Sequence, residues 1–269
     1  MKFSLKGLLT IAAAASALVL AGCGEKEADT SKIKVGVMAG AEAQVAEVAA
    51  KVAKEKYGLD VELVTFTDYV TPNAALDDGS IDINAFQHKP YLDQQVADRG
   101  YKLTIAGNTF VYPIAGYSKQ VKAVDEIQDG ARIAVPNDPT NLGRSLILLE
   151  QQGLLKLREN VGLLATVRDI VENPKNITIV ELDAAQLPRS LDDVALSVIN
   201  TTYASSINLT PQKDGVFVED KESPYVNLIV SREDNAQAEN VQNFVKSYQT
   251  EEVYTAASDI FKGGVVKGW

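Results

Sequence analysis

Cysteine and histidine each occur once in this 269-residue chain, as Cys23 and His88. A single cysteine rules out an internal disulfide and any site built from several thiolates. With a single histidine, a zinc ion would depend on carboxylates almost alone, which suit zinc poorly. We therefore expect neither a metal site nor a cofactor.

An excess of positive charge is also missing. The chain has 36 Asp and Glu against 26 Lys and Arg, which gives a net charge of −10. A nucleic-acid-binding surface needs a basic patch to neutralise phosphates. A nucleic-acid partner is therefore not expected.

Sequence motifs of the common hydrolases and nucleotide-binding proteins are absent as well. The chain contains no G-x-S-x-G, H-E-x-x-H or G-x-x-x-x-G-K-[ST] motif. A catalytic triad could use only His88, and nothing in the sequence nominates its serine. We expect a protein that is not an enzyme, and a hydrolase using His88 stays open as the alternative.

No transmembrane run stands at the N-terminus, although an apolar segment does. Residues 8–20 are apolar apart from two hydroxyl side chains, and they are fewer than the ~20 needed to span a bilayer. The run follows Lys2 and Lys6, which is typical of a secretory signal peptide. The sequence LAGC at its end resembles a bacterial lipobox, so residues 1–22 are predicted to be removed and Cys23 to be lipidated. Residues 23–32 are polar and predict a lipidated tether.

From Ile33 onwards the sequence alternates between strand and helix patterns. IKVGVM, VELVTF and IDINAF are typical of strands, and the segment after each of them is typical of a helix. The order then repeats with ARIAVP, ITIVEL and VALSVIN as strands. We therefore predict an α/β fold of two lobes, each a mostly parallel sheet flanked by helices, with a ligand in the cleft between them. The predicted boundaries are 33–117 plus 226–269 for lobe 1 and 118–225 for lobe 2.

Arg144 is the first candidate for a binding residue. Thr140 or Asn141 is predicted to cap a helix, which would place Arg144 in its first turn, where the helix dipole disfavours a cation. An anion held between the guanidinium and the helix amides would explain that position, and a guanidinium fits a carboxylate. An exposed Arg144, or one paired with Glu150 or another neighbour, is an equally good interpretation.

Aromatic residues collect near the ends of the second and third strands. They could form the wall of an apolar pocket, although ordinary core packing explains them as well. The residues are Tyr69, Phe86, His88 and Tyr91.

Two asparagines end or interrupt apolar strands. Asn200 follows the run ALSVI, where a turn residue is common, and Asn227 lies inside PYVNLIV. Asparagine is uncommon in strands, and a buried amide needs partners, so Asn227 is the more unusual of the two.

Longer segments of the sequence carry a family resemblance. The stretches INAFQHKPYLDQQ, AVPNDPTNLGRSL, VINTTYA and DKESPYVNLIVSRED, together with the terminal GGVVKGW, closely resemble the NlpA-type lipoproteins, and among them those that bind methionine. The resemblance covers nearly the whole chain after the signal peptide. It implies a two-lobed periplasmic binding protein (type II-like) that closes on its ligand.

The resemblance also implies roles for the candidate residues. Arg144, helped by Asn141, would pair with the ligand carboxylate, and two asparagines would bind its backbone groups. The aromatic set would enclose a thioether side chain. The implied ligand-binding residues are Tyr69, Phe86, His88, Tyr91, Asn141, Arg144, Asn200 and Asn227.

By resemblance, the expected function is methionine capture and delivery to an ABC importer. The expected partners are methionine, the permease and ATPase subunits, and a membrane that holds the lipid on Cys23. The expected location is the periplasmic side of the cell envelope, and the expected state is a monomer. A surface lipoprotein without a transport role is a further alternative.

Overall fold

The computed structural model describes residues 29–220 and 223–269. The predicted signal peptide, Cys23 and most of the predicted tether lie outside these residues. The first strand begins at Lys32, the last residue of the predicted tether. Within the described ranges, no helix is long and apolar enough to cross a bilayer.

Thirteen strands and nine α-helices lie in the described part of the chain. The strands are β1 (Lys32–Met38), β2 (Asp60–Phe66), β3 (Ile83–His88), β4 (Leu103–Val111), β5 (Ala115–Tyr117), β6 (Arg132–Pro136), β7 (Lys156–Leu157), β8 (Ile170–Glu172), β9 (Thr178–Leu182), β10 (Leu196–Ile199), β11 (Gly215–Val218), β12 (Val226–Arg232) and β13 (Val266–Lys267). The helices are α1 (Ala41–Tyr57), α2 (Thr71–Asp77), α3 (Lys89–Arg99), α4 (Pro139–Gln151), α5 (Leu187–Ser190), α6 (Thr201–Ser206), α7 (Pro211–Asp214), α8 (Glu239–Tyr248) and α9 (Glu251–Ile260).

The strands form two main sheets within one compact unit, Ser31–Trp269. The first sheet has the order β13-β4-β12-β3-β1-β2, the second has β11-β5-β10-β6-β9, and β7 pairs with β8 alone. Parallel pairing is confined to β2-β1-β3 and β9-β6-β10, where helices connect successive strands. The other pairs in both sheets are antiparallel. In the first sheet β12 returns from the second sheet and enters between β3 and β4, and in the second sheet β5 runs against β10 and β11.

The chain crosses between the sheets twice. The first crossing, residues 112–114, joins β4 to β5, and the second crossing, residues 219–225, joins β11 to β12. Strand β5 pairs with β10 and β11 and so belongs to the second sheet. The lobe boundaries that we drew from the sequence stay a prediction.

Helix α1 illustrates why the apolar periodicity was informative. Val45, Ala49, Val52 and Ala53 are buried in the core of the first sheet, as the 3–4 spacing predicts. The helix ends before Gly58, whose φ of +66° suits a glycine in the left-handed region. The helix also packs on α8 and α9, so the C-terminal helices cover the first sheet.

A bulge in β3 changes which side chains reach the cleft. Leu228 pairs with Gln87 and Ile229 with Ala85, so Phe86 is an extra residue on this strand. Such a bulge redirects neighbouring side chains. Phe86, Gln87 and His88 accordingly all line the cavity described below, and strict alternation would have turned one of them away.

Candidate functional site: a cavity between the two sheets

A cavity with an empty volume of about 360 Å³ collects residues from both sheets and from the first crossing. The structure brings all eight predicted binding residues to it, together with four that the sequence did not indicate. The lining residues are Tyr69, Phe86, Gln87, His88, Tyr91, Tyr112, Asn141, Arg144, Asn200, Thr201, Thr202 and Asn227.

Helix α4 begins earlier than predicted, so the proposed cap and the first-turn position of Arg144 were wrong. Its N-cap is Asp138, whose carboxylate accepts the Asn141 backbone N–H at 2.9 Å. The same carboxylate accepts from the Asn141 side-chain amide at 3.0 and 3.1 Å. Asp138 therefore caps α4 and also orients a lining side chain, while Arg144 is the sixth residue of the helix.

Arg144 is neither exposed nor paired with Glu150, because it is buried and forms an ion pair with another acid. Its side chain is 4% exposed, and it forms a two-point ion pair with Glu219, which is 12% exposed. Nε donates to Glu219 Oε1 at 2.7 Å, and Nη2 donates to Glu219 Oε2 and to the Tyr112 carbonyl at 3.0 Å. The guanidinium lies over the Tyr225 ring, with Cζ 4.3 Å from its centroid.

His88 has both ring nitrogens engaged. It is the N-cap of α3, where Nδ1 accepts the Tyr91 backbone N–H at 3.2 Å. Nδ1 is therefore unprotonated, so Nε2 carries the proton and lies 3.3 Å from Asn141 Oδ1. Burial and the nearby charge of Arg144 lower the pKa of His88 to about 3. The ring is therefore neutral at physiological pH.

The side-chain amides of Asn141 and Asn200 form a hydrogen-bond chain that leaves one acceptor without a partner. Asn141 Oδ1 accepts from Asn200 Nδ2 at 2.9 Å as well as from His88. Asn200 Oδ1 is buried and has no hydrogen-bond partner among the described residues. Asn227 lies opposite His88 in the sheet and donates to the Phe86 carbonyl at 3.0 Å. A buried carbonyl oxygen without a partner is costly, and Asn200 Oδ1 is therefore open to a hydrogen-bond donor in the cavity.

The aromatic residues enclose the other side of the cavity. The rings of Tyr69, Phe86 and Tyr91 have centroid separations of 5.9, 6.0 and 6.3 Å. The Tyr91 hydroxyl donates to the Tyr69 carbonyl at 2.7 Å, so its polar end is occupied. Gln87 contributes no open polar group either, since its amide bonds to Asn73 and Asn84. This wall suits an apolar group.

Sequence reasoning missed two acids, Glu42, which is buried, and Glu219, which is partly buried. Glu219 ends a strand pattern, and Glu42 resembles an ordinary acid in the first turn of a helix. Glu42 is 3% exposed and accepts a hydrogen bond from Thr202 on α6, so it joins α1 to the second sheet's side of the cavity. Burial raises the pKa of Glu42 to about 8, while the bond from Thr202 acts in the opposite direction. Neither acid carries a local sequence signal, because its partner is distant in the chain.

The NlpA lipoprotein family model matches residues 33–269. A relative from Vibrio cholerae, a probable D-methionine-binding lipoprotein named MetQ, is 84% identical over the full length of both chains. A crystal structure of the methionine-binding protein MetQ has a TM-score of 0.89 and 73% identity, and the match covers 90% of this chain and 99% of that one. A methionine-bound nutrient-binding protein from Burkholderia cenocepacia has a TM-score of 0.86 and 51% identity, covering 88% and 100%. These structures confirm the predicted α/β class of a binding protein. The prediction that each sheet is mostly parallel was wrong, because both sheets of this chain are mixed.

Proposed function

Because this chain belongs to the NlpA lipoprotein family, we propose that it captures methionine in the cavity between its sheets and delivers it to an ABC importer. The observation that carries the proposal is the division of the cavity into two chemically different sides. One side holds a buried guanidinium and an unpartnered amide oxygen, and the other is aromatic. Methionine has a charged carboxylate and ammonium at one end and an apolar thioether at the other.

The residue roles follow from this division. Arg144 binds the carboxylate through the N–H groups on Nη1 that Glu219 and Tyr112 leave free, since hydrogen bonds between a guanidinium and a carboxylate are charge-assisted and strong. Asn200 accepts from the ammonium through Oδ1, and Asn227 and Asn141 complete the polar side. Tyr69, Phe86 and Tyr91 enclose the thioether, which packs well against aromatic rings. His88 contributes a ring wall and an orienting bond to Asn141.

A hydrolase using His88 fits the geometry poorly. A general base needs a nitrogen available for a proton and a pKa near the working pH. In His88, Nδ1 is occupied by the Tyr91 backbone N–H, and the pKa lies far below neutrality. A binding role is therefore the better account of this residue.

Delivery places the chain at a membrane. We propose that Cys23 carries a lipid anchor on the periplasmic side of the envelope, and that a permease and its ATPase are the transport partners. The Cys23→Ala variant should then fold and bind its ligand as the wild type does, but it should be absent from the membrane fraction. A variant that stays in the membrane pellet would contradict the anchor.

Calorimetric titration with L- and D-methionine tests the binding role directly. Purified protein is first unfolded, dialysed and refolded, so that any ligand carried from the cell is removed. Saturable binding of either isomer, together with a rise in melting temperature, is the expected result. The proposal would be refuted if neither isomer gave a heat of binding and neither raised the melting temperature.

A further inference from the structure

The guanidinium of Arg144 is held on one edge by protein groups. The Glu219 carboxylate accepts hydrogen bonds from Nε–H and from one N–H of Nη2, and the Tyr112 carbonyl accepts one from Nη2 as well. A guanidinium has five N–H donors in a fixed plane, so the two on Nη1 remain. Among the described residues they have no hydrogen-bond partner, and Arg144 lines the cavity.

Glu219 is itself fixed by the two crossings. It is the first residue of the second crossing, and its backbone N–H donates to the Ile114 carbonyl of the first crossing at 2.9 Å. The Ile114 N–H lies 3.4 Å from Glu219 Oε2. The carboxylate that holds Arg144 is therefore attached to the point where both connections between the sheets meet.

We infer that Glu219 is a positioning residue, which orients Arg144 so that its Nη1 edge receives the ligand carboxylate. This inference rests on the proposed function, because it requires Arg144 to bind that carboxylate. Glu219 also cancels the charge of the buried guanidinium, so that the pair as a whole is neutral. A neutral pair suits a zwitterion, whose own net charge is zero.

Charge alone predicts an opposite role for Glu219. A carboxylate already bound to Arg144 competes with the carboxylate of the ligand, and its removal would then strengthen binding. Orientation and competition thus make opposite predictions for variants of Glu219. The ratio of the dissociation constants of methionine methyl ester and methionine measures the contribution of the ligand carboxylate and separates the two.

Two variants separate orientation from charge. Glu219→Asp keeps the negative charge but is one methylene shorter, so its carboxylate cannot reach Nε and Nη2 from the present backbone position. Glu219→Gln keeps the length and loses the charge. We expect the ester-to-methionine ratio to fall at least about tenfold in both variants, because neither can accept from Nε and Nη2 together. A tenfold change is the size expected for one hydrogen bond to a charged group.

Glu172→Gln is the control, because Glu172 forms an exposed ion pair with Lys156 away from the cavity. It should leave the ratio unchanged. A ratio that stays at the wild-type value or rises in both Glu219 variants would overturn the inference, even if their melting temperatures fall. If the Glu219 variants give that result while Arg144→Ala lowers the ratio to about one, only the inference about Glu219 fails. If the wild type itself does not bind methionine, the proposed function fails.

Discussion

Arg144 and Glu42 are two buried charged residues that the fold treats differently. Arg144 has a carboxylate within hydrogen-bond distance, so its charge is compensated. Glu42 has only the Thr202 hydroxyl, and burial shifts its pKa to about 8. One residue therefore keeps a usable charge in the cavity, and the other is mostly protonated at neutral pH.

Arg144→Ala should lose both affinity and stability. Removing one partner of a buried charge pair typically costs about 2–5 kcal/mol in binding, and even the lower end is more than tenfold in affinity. The variant also leaves Glu219 buried without its cation, which destabilises the fold. Arg158→Ala, an exposed arginine paired with Asp169, is the control. Calorimetry that gives wild-type affinity for Arg144→Ala would show that the carboxylate lies elsewhere.

Relative to the wild type, Glu42→Gln should become increasingly stabilising as the pH rises from 5 to about 8, and the difference should level off above that pH. The folded-state pKa of Glu42 is raised from 4.5 to about 8, so the unfolded chain loses this proton first. The wild type therefore loses stability through that window, by at most about 1.4 kcal/mol per pH unit, and the amide does not. Urea denaturation at pH 5, 7 and 9 measures the difference. Glu47→Gln, exposed on the same helix, should give a small difference at every pH; the same result for Glu42→Gln would contradict the assignment.

Helix α4 links stability to the site through its cap. Asp138 satisfies the backbone N–H of Asn141 and also holds the Asn141 amide that bonds to Asn200 and His88. The first turn of this helix and the polar side of the cavity therefore share one carboxylate. Changing the cap should disturb both.

Asp138→Ala should destabilise the protein by about 0.5–2 kcal/mol, the usual cost of a lost N-cap, and weaken methionine binding as well. Thr250→Ala is matched to it, since Thr250 caps α9 and does not line the cavity. This control should lose stability and keep its affinity. Denaturation and calorimetry on both variants test the link, which would be wrong if Asp138→Ala bound methionine as tightly as the control.

The sequence predicted the elements whose signal is local. The apolar spacing of α1 and the runs of β1, β2, β3, β6 and β10 correspond to the observed elements, because each pattern is contained in a few adjacent residues. Strands β7 and β13 are two residues long and carry no period. The cap of α4 was misplaced because Asp138, Thr140 and Asn141 are all good N-cap residues. Pairings such as Arg144 with Glu219 span 75 residues and leave no local trace.

Among the described residues, three polar pairs join the two sheets and their helices besides the crossings. His88 lies against Asn141, Glu42 accepts from Thr202, and the Tyr203 hydroxyl donates to the Thr67 carbonyl at 3.3 Å. Each pair joins an element of the first sheet to a helix associated with the second. The structure is therefore that of a closed cleft.

Methionine should compact the protein. In the ligand-stripped protein nothing bridges Arg144, Asn200 and the aromatic wall, so an open arrangement becomes accessible. Solution scattering should show a larger radius of gyration without methionine than with it. Arg144→Ala at the same methionine concentration should stay near the ligand-free value. An equal radius for the wild type in both conditions would argue against closure on the ligand.

The position of β12 between β3 and β4 has a consequence for the order of assembly during synthesis. The second sheet is built entirely from residues 115–218, so its strands are all present once that segment has been made. The first sheet cannot join β3 to β4 until residues 226–232 arrive, and its edge strand lies within four residues of the C-terminus. Domains commonly fold from the N-terminus first. In this chain the second sheet can be completed first, from the middle of the sequence. The first sheet, whose strands β1 to β4 are synthesised earlier, can be completed only after β12 and β13 have been made.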